Sequence, residues 1–298
     1  DASGVQPFTS AKVRNQGIET TIGYNFRLAK DFNWRTSYNV SYNSNKILKT
    51  AYNDQGKELI QQQVVGGTYI RYKEGGSIGD MYIHDFERDA NGNIALTKSG
   101  APRFKSSGQD ADLIYVGNMN SKWQMGWSNN FNYKDFTLSF LINGRIGGKV
   151  ISLTEAYLDQ NGLSQRVADE RLNAERNNIV ATDYKNAPGM QLNDGSGRIV
   201  PVEAYYKAMG ASTNPYNYIY SATNFRLREL SLGYTFRNLL GQNKNLNVAF
   251  IARNLFFLYN DSPVDPDVSL STANGLGAFE LFNMPSSRSF GLSLKLNF

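Results

Sequence analysis

Strict alternation between apolar and polar residues is the feature that most constrains the fold of this chain. In one clear case, the even positions 32–42 carry five large apolar side chains, whereas the odd positions 33–43 carry Asn, Arg or Ser. The same period recurs at positions 18–28, 123–133, 136–145, 225–236, 246–250 and 290–298. Side chains that alternate in this way lie on opposite faces of a β-strand. The chain is therefore predicted to be all-β, with seven two-faced strands.

One of these segments changes phase within its length. Phe225 and Leu227 occupy odd positions, whereas the apolar residues at 230–236 occupy even ones. One extra residue in a strand, a β-bulge, moves the following side chains to the other face. We therefore predict a bulge near Arg228 and Glu229.

A soluble sandwich also shows alternation, but other features favour a transmembrane antiparallel β-barrel. Several segments reach the roughly 9–11 residues of a tilted membrane strand. Their polar faces carry Asn, Ser, Thr and Gly rather than Lys and Glu. Connections alternate between short ones, at 29–31, 134–135 and 237–244, and long ones, at about 47–117, 150–217 and 258–287. In outer-membrane barrels the short turns are periplasmic and the long loops are extracellular.

Aromatic residues also gather beside the short turns, where a periplasmic lipid–water boundary is expected. They are Tyr24, Phe26, Phe32, Trp34, Tyr133, Phe136, Tyr234 and Phe236. Seven strands is an odd number, whereas single-chain bacterial barrels have even numbers, and an open edge is costly in lipid. We therefore expect further strands outside this sequence to complete the barrel. The start at Asp1, without an initiator Met or a signal peptide, predicts a chain that begins within a longer protein.

Composition argues against several classes of function. Cysteine is absent and His84 is the single histidine, which excludes thiolate metal sites and argues against a His-based catalytic cluster. The net charge of +5 is scattered along the chain, so no nucleic-acid partner is predicted. No segment approaches the roughly 20 apolar residues of a membrane-spanning helix. We predict no catalytic residues, no metal site and no cofactor, and the chain is not expected to be an enzyme.

Six short motifs resemble, in the same order, those of SusC/RagA-type TonB-dependent outer-membrane transporters. They are KVRNQGIE at 12–19, EGGSIGDMY at 74–82, VGNMNSKW at 116–123, ATNFRLRELSLGYTF at 222–236, ARNLF at 252–256 and DPD at 265–267. Ser77 and Ser121 stand where the family pattern has Pro. Each motif alone is weak, but together they span nearly the whole chain.

The resemblance implies that residues 1–298 are the C-terminal portion of a barrel of about 22 strands, with the plug domain outside this chain. It implies location in the outer membrane of a Gram-negative, Bacteroidetes-type cell, in contact with outer-membrane lipids. The implied partners are a SusD-like surface lipoprotein and TonB, the latter reached through the missing N-terminal part. The implied function is TonB-dependent import of a glycan fragment or an oligopeptide. Two alternatives stay open: a passive outer-membrane channel, and a structural or adhesive surface barrel without transport.

The final strand is predicted to be the signal recognised by the barrel-assembly machinery. Its alternate apolar residues end on an aromatic in phase with the lipid-facing row; the alternative is an ordinary terminal strand. The predicted signal residues are Phe290, Leu292, Leu294, Leu296 and Phe298.

Other local patterns allow narrower predictions, although the substrate-facing residues stay unknown. Positions 89–93 and 193–197 are typical of Asx–Gly turns rather than calcium loops. Positions 163–176 predict a short helix in the second long loop, with Arg166–Glu170 and Arg171–Glu175 at i,i+4 spacing. His84 is expected to be structural. Two further sets either contact solute or serve packing and pairing: the charges Glu19, Arg27, Arg35, Arg145 and Lys295, and the tyrosines Tyr205, Tyr206, Tyr216, Tyr218 and Tyr220.

Overall fold

The computed structural model describes residues 11–50, 61–63, 65–106, 110–211, 213–239, 241–242, 244–271 and 275–297. The helices are α1 (Leu153–Gln160), α2 (Gln165–Arg176) and α3 (Val202–Ala208), with short 3₁₀ turns at Asp110–Asp112 and Tyr216–Tyr218. The strands are β1 (Lys12–Ala29), β2 (Phe32–Lys49), β3 (Gln61–Gln63), β4 (Thr68–Arg71), β5 (Asp80–His84), β6 (Leu113–Asn118), β7 (Trp123–Tyr133), β8 (Phe136–Ile146), β9 (Lys149–Ser152), β10 (Val180–Ala181), β11 (Ala187–Gln191), β12 (Ile199–Pro201), β13 (Ile219–Ser221), β14 (Asn224–Phe236), β15 (Asn245–Asn260), β16 (Phe279–Glu280) and β17 (Ser289–Asn297).

Seven of these strands form one sheet, which we call the wall. Its order is β1-β2-β7-β8-β14-β15-β17, and every neighbouring pair is antiparallel. The wall strands are 9 to 18 residues long, whereas strands average about 5–6 residues. Each segment that alternation predicts is one of these strands, so the predicted all-β antiparallel fold is confirmed.

The predicted bulge is also present. In both pairings of β14, the register shifts between Leu227 and Glu229. Arg228 is the extra residue opposite β8, whereas two residues of β15, Asn254 and Leu255, lie opposite it on the other side. On the facing strand, Asn254 adopts a left-handed backbone conformation with φ of 53°. Asn tolerates this conformation better than most residues do. The Asn of the ARNLF motif therefore has a backbone role at the bulge.

The apolar face of the wall is exposed across its whole width. Ile22 in β1 is 68% exposed, Leu232 in β14 is 54% exposed and Leu294 in β17 is 65% exposed. Within the described residues, no second sheet covers these rows, as a soluble sandwich would require. Soluble monomers rarely expose so broad an apolar surface, so this face requires an apolar environment.

The buried apolar core lies in the long connections between wall strands. The described parts of connections 65–122, 147–223 and 261–288 pack together, and we call them the loop body. One of its clusters joins all three connections through Met81, Ile151 and Phe279, each fully buried. β16 pairs in parallel with β9, and Glu280 accepts hydrogen bonds from Ser152 and Thr154 at the start of α1. The long connections are thus a folded layer rather than irregular loops.

The predicted helix at 163–176 corresponds to α2. Its N-cap is Ser164, whose hydroxyl accepts a hydrogen bond from the backbone N–H of Val167 at 3.2 Å. The guanidinium of Arg166 reaches across to α1 and pairs with Asp159 and Glu155 rather than along its own helix toward Glu170. In the described ranges, no helix combines the length and the apolar character needed to cross a membrane.

Candidate functional site: the polar face and the mouth of the wall

The polar face of the wall is lined by amides and hydroxyls that bond to one another. Asn132 donates to the side-chain oxygen of Asn130 at 2.7 Å, and Asn247 donates to the hydroxyl of Thr235 at 2.9 Å. Such groups exchange hydrogen bonds readily with water and carry no net charge. The face therefore suits contact with water or a polar solute.

The charges predicted on this face do not form a common site. Glu19 lies opposite Ser41, Arg35 lies opposite Asn25 and Lys295 lies opposite Asn247. Arg27 lies beside the short turn, next to Asn33. Arg145 alone joins a cluster of charged side chains. Direct solute contact by the set as a whole stays a prediction.

The arginine cluster consists of Arg145, Arg226 and Arg228 from the wall and Asp265 and Asp267 from the last connection. Arg226 is 4% exposed and pairs with Asp265, while its guanidinium lies 4.0 Å from the ring centre of Phe257. Arg228 donates to Asp267 at 2.8 Å, and Arg145 donates to the carbonyl of Pro266. The structure thus joins the FRLREL segment at 225–230 to the DPD motif at 265–267, which lies at least 35 positions further along the chain.

A second network, the mouth lock, joins segment 74–82 to segment 116–123. Asn118 donates to the carbonyl of Ile78 at 3.0 Å and to Asp80 at 2.7 Å. Asn120 donates to the same carbonyl at 3.1 Å. The backbone N–H of Ser77 donates to Asp80 at 2.7 Å. Two motifs that are weak in isolation are therefore the two halves of one contact.

Gly79 is required at the centre of the mouth lock. Its φ is +88°, and a Cβ there would lie 2.6 Å from Cγ of Met119. Only Gly adopts such a φ without strain, and any larger residue would have to displace the side chains of Met119 and Asn120. Gly75 has a similar φ of +84° but open space around it.

The two serines that depart from the family pattern both make hydrogen bonds in this region. The hydroxyl of Ser77 donates to the side-chain oxygen of Asn45 in β2 at 2.5 Å. The hydroxyl of Ser121 donates to the carbonyl of Gly147 at 2.7 Å. A Pro at either position lacks this donor. Here Ser77 attaches the mouth lock to β2, and Ser121 attaches it to the residue that follows β8.

A cavity of about 780 Å³, the mouth cavity, lies between the mouth lock and the wall. Its lining comprises six amides, four serines, three cations, three glycines and one each of Asp, Tyr and Met. This volume is within the range of sites for small ligands. The sequence did not indicate the cavity, because its lining residues come from segments that are far apart in the chain.

The tyrosines of the loop body mainly serve packing. Tyr218 is fully buried, and its hydroxyl donates to Asp159 at 3.0 Å. Burial, followed by the charge of Asp159, raises the pKa of Tyr218 well above its ordinary value. Tyr220 donates to Glu155 at 2.7 Å, and burial raises its pKa to about 12. Tyr216 is the most exposed of the predicted set, at 47%.

The two Asx–Gly segments are turns, as predicted. Asp89 accepts hydrogen bonds from the backbone N–H groups of Asn91 and Asn93. Asp194 accepts a bond from the N–H of Ile94, which joins the two turns. Burial alone would raise the pKa of Asp194, but its hydrogen bonds from Ser196, Arg198 and Ile94 lower that pKa to about 2.

His84 takes part in packing contacts within the first connection. Its Nε2 lies 3.0 Å from the hydroxyl of Tyr69, and its carbonyl accepts a hydrogen bond from Asn214. These contacts are consistent with the structural role expected from the sequence.

The aromatic residues beside the short turns form one continuous band on the apolar face. The rings of Phe26 and Trp34 stack at 4.8 Å, and those of Phe136 and Tyr234 meet at 4.6 Å. Tyr133 pairs in register with Phe136, which links the two groups. Such a band suits a lipid–water boundary.

The predicted assembly-signal residues lie on the edge strand β17. Phe290, Leu292 and Leu294 are each at least 64% exposed, and they pair in register with Ala252, Phe250 and Val248 of β15. Leu296 is partly exposed, and Phe298 lies outside the described residues. Recognition of this strand by the assembly machinery stays a prediction.

Curated sequence relatives exist although no family model matches the chain. The TonB-dependent receptor P39 of Formosa agariphila is 26% identical over 86% of this chain and 28% of its own length. The TonB-dependent receptor P3 of the same organism is 23% identical over 96% of this chain and 29% of its own length. The TonB-dependent receptor SusC of Bacteroides thetaiotaomicron is 22% identical over 96% of this chain and 26% of its own length. The chain therefore spans less than a third of each relative.

Solved structures show the same relationship at the level of the fold. The structure of the RagAB peptide transporter matches with a TM-score of 0.64 at 17% identity, covering 97% of this chain and 29% of that chain. The RagAB peptide importer in its open-open state matches with a TM-score of 0.63 at 18% identity, covering 97% of this chain and 29% of that chain. This partial coverage fits a C-terminal portion of a barrel. The chain is similar in sequence to SusC-type TonB-dependent receptors, and it has the fold of part of a SusC/RagA-type transporter barrel.

Proposed function

We propose that the protein to which this chain belongs imports a solute across the bacterial outer membrane by TonB-dependent transport. The observation that carries the proposal is the contrast between the two faces of the wall, one with exposed Ile, Leu and Phe and the other with Asn and Ser. A sheet with these faces suits a lipid bilayer on one side and a hydrated pore on the other. Sequence similarity to TonB-dependent receptors supports the second part of the proposal, that TonB supplies the energy for import.

In this proposal the chain supplies part of the barrel wall, and further strands pair with the outer edges of β1 and β17. The connections at about 47–117, 150–217 and 258–287 face the outside of the cell and meet a SusD-like lipoprotein. The plug domain and the contact with TonB belong to the rest of the protein. The strand ending in Phe290, Leu292, Leu294, Leu296 and Phe298 engages the assembly machinery. The protein has no enzymatic role, and its solute is a glycan fragment or an oligopeptide.

The test is growth and solute uptake in a strain that lacks the gene, on a panel of polysaccharides and peptides. We expect loss of growth on one class of solute, restored by the wild-type gene, and the same loss when TonB is deleted. Uptake that survives TonB deletion would identify a passive channel. Growth unchanged on every solute would favour a structural or adhesive barrel.

A further inference from the structure

Part of the mouth cavity lining has polar side chains that are free to bind a ligand. Asn45, Asn118 and Asn120 are engaged in the mouth lock. By contrast, Asn43 and Gln124 of the wall line the same cavity, and neither side chain forms a hydrogen bond with another described residue. Amides offer both donors and acceptors. The wall side of the cavity therefore presents unused hydrogen-bonding groups to the open space.

The charge of the cavity is predominantly positive. Lys46, Lys122 and Arg145 line it, with Asp80 as its single carboxylate. The oxygens of Asp80 already accept bonds from the N–H of Ser77 and from Asn118. Arg145 belongs to the arginine cluster. Lys46 and Lys122 are exposed and form no ion pair with any described residue, so two cations of the lining have no carboxylate partner within the part of the chain that the structure describes.

The lining also suits a hydroxylated ligand better than a peptide. Met119 is its only aliphatic side chain, so apolar peptide side chains would find little surface to cover. Ten of its 19 residues are amides or serines, which match sugar hydroxyls as both donors and acceptors. Tyr115, which is 56% exposed, also lines the cavity, and an aromatic ring can pack against the polarised C–H groups of a sugar ring.

We propose that the mouth cavity binds an anionic oligosaccharide, whose sulfate or carboxylate groups pair with Lys46 and Lys122 and whose hydroxyls bond to Asn43 and Gln124. This inference rests on the proposed function, since it names the solute class that an importer of this kind takes up. It narrows the solute from glycan or peptide to a charged glycan.

The experiment measures binding by calorimetry to the full-length protein purified in detergent. The probes are a heparin-derived hexasaccharide, its desulfated form, neutral maltohexaose and hexaglutamate. We expect the sulfated hexasaccharide to bind at least roughly tenfold more tightly than neutral maltohexaose or hexaglutamate, with affinity that falls as salt rises. The desulfated form keeps its carboxylates, so its affinity should lie between those of the sulfated and the neutral sugar. The double variant Lys46→Gln/Lys122→Gln should weaken this binding by about tenfold or more. Lys98→Gln, a change of an exposed lysine outside the cavity, should leave it unchanged.

Several outcomes would overturn the inference. Equal affinity for neutral and sulfated sugars would exclude the role of the lysines, as would a double variant that binds like the wild type. Tighter binding of hexaglutamate would identify an acidic-peptide site instead. Binding tests the proposal about the mouth cavity, and uptake tests the proposal of TonB-dependent import. Selective binding without TonB-dependent uptake would support the cavity and contradict import, whereas uptake with no charge preference would contradict the cavity and leave import standing.

Discussion

At the residue scale, two polar side chains on the apolar face explain how tryptophans are accommodated there. The indole N–H of Trp127 donates to the hydroxyl of Thr36 at 2.9 Å, and that of Trp34 donates to Asn129 at 2.9 Å. Thr36 and Asn129 are direct neighbours in the register of β2 and β7. An indole N–H without an acceptor is costly in an apolar environment. These polar residues therefore belong to the apolar face rather than interrupting it.

The substitution Thr36→Val tests this pairing. It keeps the shape of the side chain but leaves the N–H of Trp127 without its acceptor, so we expect a loss of about 1–3 kcal/mol in the free energy of unfolding. Urea unfolding of the protein in lipid vesicles measures it. Thr20→Val is the matched control, because Thr20 is exposed in the apolar row of β1 and makes no side-chain hydrogen bond with a described residue. An equal effect of both changes would contradict the role given to Thr36.

Asp194 should make the join between the two turns sensitive to acid. Its folded-state pKa of about 2 is lower than its ordinary value of 3.8, so its stabilising effect is complete above about pH 4 and is lost as pH falls toward 2. We expect backbone amides near Ile94 to lose hydrogen-exchange protection over that interval. In Asp194→Asn the protection should be lower at neutral pH and independent of acid. If Asp194→Asn still lost protection over the same pH interval as the wild type, a group other than Asp194 would be responsible for the acid sensitivity.

At the element scale, the mouth lock depends on close contact as well as on backbone conformation. Gly79→Ala should introduce both strain at a positive φ and a clash with Met119, whereas Gly75→Ala introduces the strain alone. Strain of this kind costs about 1 kcal/mol. We expect Gly79→Ala to lower the free energy of unfolding by clearly more than Gly75→Ala does. Hydrogen exchange at 74–82 and 116–120 should also be faster in Gly79→Ala. Equal losses in the two variants would show that packing around Gly79 is unimportant.

The arginine cluster should fix the last connection to the wall. Arg226→Gln leaves Asp265 buried without its ion pair, so we expect the free energy of unfolding to fall by about 3–5 kcal/mol. We also expect faster proteolysis within 261–288. The matched control is Arg253→Gln, which removes an exposed pair with Glu229 worth about 0–1 kcal/mol. Unchanged proteolysis in Arg226→Gln would mean that the loop body, through β16, holds this connection by itself.

At the scale of the whole molecule, alternation predicted every wall strand and the bulge at Arg228, because the two faces of a strand meet different surroundings. The same rule gave no information on the loop body. Its core joins Met81, Ile151 and Phe279 across almost 200 residues, and no local period encodes such contacts. The mouth cavity escaped detection for the same reason. The motifs at 74–82 and 116–123 did mark the mouth lock, but only the structure showed that they bind each other.

The most direct test of the central claim is solvent contact on the two faces of one strand. The chain has no cysteine, so a spin label can be attached to a single introduced Cys in an otherwise cysteine-free full-length protein in lipid vesicles. At Leu232→Cys, on the apolar face, we predict strong relaxation by oxygen and weak relaxation by a water-soluble nickel complex. At Ser231→Cys we predict the reverse. A label at 232 that meets the nickel complex as readily as one at 231, or that is shielded from both reagents, would contradict a lipid-facing wall.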